Sequence, residues 1–86
     1  MADLTRTEII KLIAIANRPL NLRGINLNQV DLKGLDLSGA DLTGVNLLAA
    51  NLTGANLTGA KLDGANLTGA KLDGANLTDV KGFYRK

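Results

Sequence analysis

The chain has 86 residues, enough for one small domain near the size at which burial barely offsets chain entropy. It contains no cysteine and no histidine, which excludes disulfides and thiolate metal sites and removes the commonest general base and metal ligand. The net charge of +2 hides a near-neutral middle: between Leu20 and Lys81 five cationic side chains face six carboxylates, and the surplus positive charge sits at the two ends. That is a poor footprint for nucleic acid, and one Phe, one Tyr and no Trp leave no stacking platform for bases.

Residues 1–19 are expected to form a capping helix. Thr5-Arg6-Thr7-Glu8 has the capping-box pattern, in which a hydroxyl takes one orphan amide and a glutamate reaches back to another. Ile9, Leu12, Ile13 and Ala16 then lie on one face at helical spacing, with Ile10 and Ile15 widening the stripe. Pro19 pushes Arg18 out of the helical region, so the helix is expected from about Arg6 to Asn17. A lone helix of this length is marginal in water and needs a surface to dock on. The N-terminus carries Asp3 and Glu8 in place of a signal peptide's basic-then-apolar order, and no apolar run approaches a membrane span; the expectation is a cytoplasmic protein without membrane contact.

From Leu20 the period changes to five. Leu22, Leu27, Leu32, Leu37, Leu42, Leu47, Leu52, Leu57, Leu62, Leu67, Leu72 and Leu77 fall on one beat without a slip. Five fits neither the helical repeat nor the alternation of a flat sheet, and a fixed short period marks a solenoid. Within Ala55-Asn56-Leu57-Thr58-Gly59 apolar and polar residues alternate and a glycine follows, which reads as a short strand and a corner. Gln29, Ala49 and Asp79 stand where nine other units have Gly, so corners are expected to form without it.

Ala40-Asp41-Leu42-Thr43-Gly44 and Ala50-Asn51-Leu52-Thr53-Gly54 resemble the pentapeptide repeat, written A(D/N)LXX, letter for letter. The resemblance covers residues 20–81 and implies an all-β solenoid, a right-handed quadrilateral β-helix with four pentads to a coil. On that geometry the chain makes about three coils, a stack roughly 14 Å tall, with the leucines filling the axis. The second inward position is bulky at Leu20, Ile25, Val30 and Leu35 and then shrinks to alanine, Val45 excepted, as expected if a docked N-terminal α-helical cap lies over the first coil. Stepping by twenty stacks Asn26, Asn46 and Asn66 as an amide ladder and interleaves Asp41, Lys61 and Asp63, or Asp31, Lys71 and Asp73, as solvated ion pairs. Leu48 is the one apolar residue at an outward position.

The 82–86 tail breaks the beat, with Gly82 in a leucine position, followed by Phe83 and Tyr84. These aromatics either fold back over the last coil or join an end-to-end contact. Leu72, Leu77, Val80, Phe83 and Tyr84 are therefore the candidate C-terminal interface, through which a weak homodimer is expected.

No catalytic site can be assembled. Asp63 and Asp73 are expected on exposed faces with nothing to raise a pKa. Asp31, Asp36 and Asp41 fall on different faces at a spacing that matches no calcium loop, and the glycines match no phosphate-binding turn. The expectation is a non-catalytic structural or protein-interaction module without cofactor, metal or nucleic acid. Two other readings follow from the resemblance and the surface. Some members of that family imitate DNA against gyrase, which a short, near-neutral body disfavours. Ice binding would need a flat Thr array, and only Ser38, Thr58 and Thr78 form one column.

Overall fold

A computed structural model describes residues 2–16 and 19–83. Helix α1 spans Arg6–Ile15. The capping box forms as its sequence dictates, with the Thr5 hydroxyl accepting from the Glu8 amide at 3.3 Å and Glu8 Oε1 accepting from the Thr5 amide at 2.8 Å. The helix ends sooner than its apolar pattern suggests, with Ala16 already extended (ψ 132°); Asn17 lies outside the described residues. Its faces separate sharply. Ile9 is fully buried, Leu12 and Ile13 are half-buried, and Ala16, Ile10 and Ile15 are exposed, Ile15 at 75%.

The remainder is a ladder of isolated parallel bridges, each joining residues twenty apart: Asn21 to Asp41 to Lys61 to Lys81, Asn26 to Asn46 to Asn66, Asp31 to Asn51 to Lys71, and Asp36 to Asn56 to Asn76. Four sides follow because twenty residues hold four pentads. The ladder has two kinds of rung. The leucine amide donates nineteen residues ahead, as from Leu52 to the Lys71 carbonyl at 2.8 Å, and the amide before it donates twenty-one back, as from Asn51 to the Val30 carbonyl at 3.0 Å.

Each pentad ends in a tight turn closed by a bond such as Ala55 N–H to the Leu52 carbonyl at 3.0 Å. Only the third turn residue has positive φ, which is the type II arrangement and explains the fifth-place glycine. Gln29, Ala49 and Asp79 make the same corner at φ 63°, 58° and 57°. The corner therefore forms without glycine, but it keeps the left-handed geometry, which costs an L-residue roughly 1–2 kcal/mol.

The leucines from Leu22 to Leu62 are buried, together with Val30, Ala40, Val45, Ala50, Ala55 and Ala60, in one core that also holds Ile9. The alternation thus buries leucine and the residue two before it, while the residue between them faces out. Among the described residues no helix is long and apolar enough to cross a membrane.

Candidate functional site

The outward Asn and Asp side chains do local work. In ten of the twelve pentads the carboxyl or amide oxygen before leucine accepts from the backbone amide two residues on, as Asn51 Oδ1 accepts from Thr53 N–H at 3.0 Å and Asn66 Oδ1 from Thr68 N–H at 3.0 Å. Asn26, Asn46 and Asn66 thus each clamp their own turn with an oxygen that the expected amide ladder would have aimed at the neighbouring layer. The turn presents its own backbone amide about 3 Å from Oδ1, so the oxygen is satisfied locally. The other two pentads begin with Lys61 and Lys71, which have no acceptor.

Ser38 and Thr43 add hydroxyl bonds of 2.7 and 2.6 Å to Asp36 and Asp41. These bonds hold both carboxyls below the ordinary carboxylate range. The ion pairs among the described residues are Arg6–Asp31 at 3.3 Å and Arg23–Asp41 at 3.4 Å, both solvent-exposed. The expected interleaving of Lys61 with Asp63 and of Lys71 with Asp73 does not produce a pair, because these long cations extend into water, where pairing gains little. Asp31, Asp36 and Asp41 stand on three different sides, and no group of three metal-ligating side chains forms among the described residues. Leu48 is half-buried, flanked along its side by Asn46 and the Ala49 corner.

The two ends of the ladder differ. At the N-terminal edge Asp3 acts as a short added strand: its amide donates to the Asn26 carbonyl and its Oδ2 accepts from the Asn26 amide, both at 2.6 Å. Arg6 reaches the Asp31 carbonyl at 3.1 Å, and Ile9 packs into the core beside them. Between the end of α1 and the ladder lies a cleft of about 300 Å³ lined by Ile13, Pro19, Leu20, Leu37 and Ala40, with Asp36 and Ser38.

At the other end the rungs stop. Leu62 still donates to the Lys81 carbonyl at 2.7 Å, but the amides of Gly64, Leu67, Gly69, Leu72, Gly74, Leu77 and Asp79 have no partner among the described residues. Leu67, Leu72 and Leu77 are half-buried where Leu47, Leu52 and Leu57 are fully buried. Val80 and Phe83 pack partly buried against the core. Gly82, at φ 72°, lies so close over Asp63 that an added Cβ would sit 2.7 Å from the Asp63 Cα. Phe83, one of the two aromatics, packs partly buried against the core of its own chain. Leu72, Leu77, Val80 and Phe83 thus share one end of the molecule, and Tyr84 lies outside the described residues. These amides were the part of this surface that hydrophobic pattern did not point to, because the rungs depend on backbone spacing and not on side-chain type.

The family model for pentapeptide repeats matches residues 20–48 and 50–81, in eight copies. Among solved structures, a pentapeptide repeat protein from the cyanobacterium Cyanothece 51142 is 46% identical with a TM-score of 0.70, over 71% of this chain and 42% of that one. A pentapeptide repeat protein from the thylakoid lumen of Arabidopsis thaliana is 33% identical with a TM-score of 0.40, over 73% of this chain and 48% of its own. HetL of Nostoc sp. strain PCC 7120, a pentapeptide repeat protein involved in heterocyst differentiation regulation, is 32% identical with a TM-score of 0.33, over 76% and 39%. The chain therefore spans less than half the length of each of these proteins. A search of the curated proteins returns no match.

Proposed function

Since this chain belongs to the pentapeptide-repeat family, whose fold is the right-handed quadrilateral β-helix, we propose that it is a non-catalytic structural module that acts by binding protein. In this reading the ladder is about three coils, and α1 with Asp3 and Arg6 caps the first of them. The observation that carries the proposal is the C-terminal edge, where the amides of Gly64, Leu67, Gly69, Leu72, Gly74, Leu77 and Asp79, without a partner among the described residues, border the half-buried Leu67, Leu72 and Leu77. An open edge of this kind is a template for added backbone.

The partner that fits is a second copy. Asp3 and Arg6 already occupy part of the opposite edge, so a head-to-tail stack would have to displace them. Two open ends meeting about a two-fold axis leave both caps intact and close the assembly at a dimer. The ladder's near-zero net charge opposes the approach weakly. The contact area is that of one narrow coil end, so the dimer is weak.

Light scattering over a rising concentration series tests this reading. The expected result is a reversible monomer–dimer equilibrium that a Phe83→Ser, Tyr84→Ser variant shifts toward monomer while circular dichroism stays unchanged. A strict monomer at every concentration, or a dimer indifferent to those changes, contradicts it.

A further inference from the structure

Asp63-Gly64 and Asp73-Gly74 are the two places where aspartate precedes glycine in this chain. Such a pair is open to a defined reaction. The glycine backbone nitrogen attacks the aspartate Cγ, an amide proton and a carboxyl hydroxyl leave as water, and a five-membered succinimide forms. Water then adds back at either carbonyl, regenerating aspartate or leaving the main chain routed through Cβ and Cγ as isoaspartate. No redox partner is needed. The attacking nitrogen must be free, and the turn must open enough for it to approach Cγ.

Both restraints that suppress this motion elsewhere in the ladder are missing at these pentads. In the layers below, the glycine amide is held by a carbonyl nineteen residues ahead, as Gly44 is by Asp63 at 2.8 Å and Gly54 by Asp73 at 2.9 Å. Gly64 and Gly74 belong to the C-terminal edge, and neither amide has a partner among the described residues. In ten other pentads a side-chain oxygen clamps the turn, but here the clamping position is occupied by Lys61 and Lys71. What remains within each turn is the bond from Ala65 N–H to the Leu62 carbonyl or from Ala75 N–H to the Leu72 carbonyl, each at 3.0 Å, together with the rung on the aspartate carbonyl; the flanking amides of Lys61 and Asn66, or Lys71 and Asn76, stay bonded to the layer below.

The Leu62 amide at the first site still donates to the Lys81 carbonyl at 2.7 Å, a rung that Leu72 lacks among the described residues, and the course of Gly82 separates the two sites further. Both aspartates are exposed and both glycines have similar room, an added Cβ meeting only Gly44 at 3.9 Å or Gly54 at 4.0 Å, but Gly82 is folded directly over Asp63, close enough to restrict its carboxyl. We propose that Asp73 is a site of spontaneous isoaspartate formation in the folded protein, with Gly74 N as the nucleophile, and that the Gly82 fold-back protects its counterpart Asp63. The product lengthens the main chain ahead of Leu77, Val80 and Phe83, so ageing at Asp73 disturbs the register of the C-terminal end.

The sequence carries its own control. Trypsin releases Leu62–Lys71 and Leu72–Lys81, which read LDGANLTGAK and LDGANLTDVK, with identical residues around each aspartate. Their intrinsic rates in the unfolded chain should therefore match. The experiment incubates the protein in neutral buffer, native and in urea, and quantifies isoaspartate in each peptide by isoaspartyl methyltransferase labelling and fragment-localised mass spectrometry. The expected native result is Asp73 converting on the order of fivefold faster than Asp63, a ratio that a single steric restraint of modest free energy supplies, and falling to about one in urea. An Asp73→Thr variant, which places there the residue found at Thr53, should remove the product from its peptide. Equal native rates, a faster Asp63, no native conversion at either site while the urea sample converts, or product persisting in Asp73→Thr would each overturn the proposal.

Discussion

Ala49 stands in a corner that nine other pentads fill with glycine, at φ 58°. Replacing it with glycine should stabilise the protein, and the size of the gain follows from two opposing terms. A Cβ in the left-handed region costs roughly 1–2 kcal/mol, which the substitution removes. Glycine loses more backbone freedom on folding than alanine does, a penalty of about 0.5–1 kcal/mol. The difference is a net gain of about 0.5–1 kcal/mol, because Ala49 is exposed and forfeits no burial, and its amide keeps the 2.8 Å bond to the Thr68 carbonyl. For a domain of this size such a gain raises Tm by roughly 2–8 °C. Calorimetry on Ala49→Gly and on the mirror change Gly54→Ala reads both signs, and Gly54→Ala should lose a comparable amount because an added Cβ there meets nothing within 4 Å. An Ala49→Gly protein that melts below the parent would refute the reasoning, since it would mean the corner carries no strain to relieve.

Two further outcomes follow from the interior and from the carboxylates. Leu57 is fully buried, so Leu57→Lys places an ammonium on the filled axis at a cost exceeding the whole stability of a small domain, about 5–15 kcal/mol; circular dichroism should show an unfolded chain, and a folded variant would mean leucine does not point inward. Asp36 and Asp41 are held below the usual carboxylate pKa by Ser38 and Thr43. Their contribution is present above the unfolded-state value of about 3.9 and is lost as the pH falls through the lower folded-state values. Asp36→Asn with Asp41→Asn keeps the turn acceptors, so its urea midpoint should decline less steeply than the parent's below that value; parallel acid profiles would contradict the assignment.

The leucine beat exposed most of this fold to inspection because one side chain repeats at one place in every unit, and burial acts on each copy alike. Residue-level choices were less legible. Asn46 had two acceptor roles open to it, toward the next layer or toward its own turn, and only the geometry of the turn decides in favour of the 3.0 Å bond to Leu48. Asp3 and Asn26 share no period, so their paired 2.6 Å bonds left no trace in the pattern. Alternating charge suggested pairs at Lys61 and Lys71, but the ion pairs form at Arg6 and Arg23. The apolar side chains of the C-terminal end, Leu72, Leu77, Val80 and Phe83, were legible as a group that packs partly buried against the core. The amides without a partner among the described residues depend on a ladder whose rungs run nineteen and twenty-one residues, a spacing that the side-chain pattern does not display.

Residue-resolved amide hydrogen exchange tests this account most directly, because its central claim is a ladder satisfied throughout its interior, covered in part at its N-terminal edge and open at its C-terminal edge. In dilute solution the amides of Leu47, Leu52 and Leu57, bonded at 2.8–2.9 Å, should exchange only through global unfolding. Those of Leu67, Leu72, Leu77, Gly69, Gly74 and Asp79 should exchange freely, and should gain protection as the concentration rises and the open ends meet. Edge amides as protected as the interior ones in a dilute monomer would contradict it.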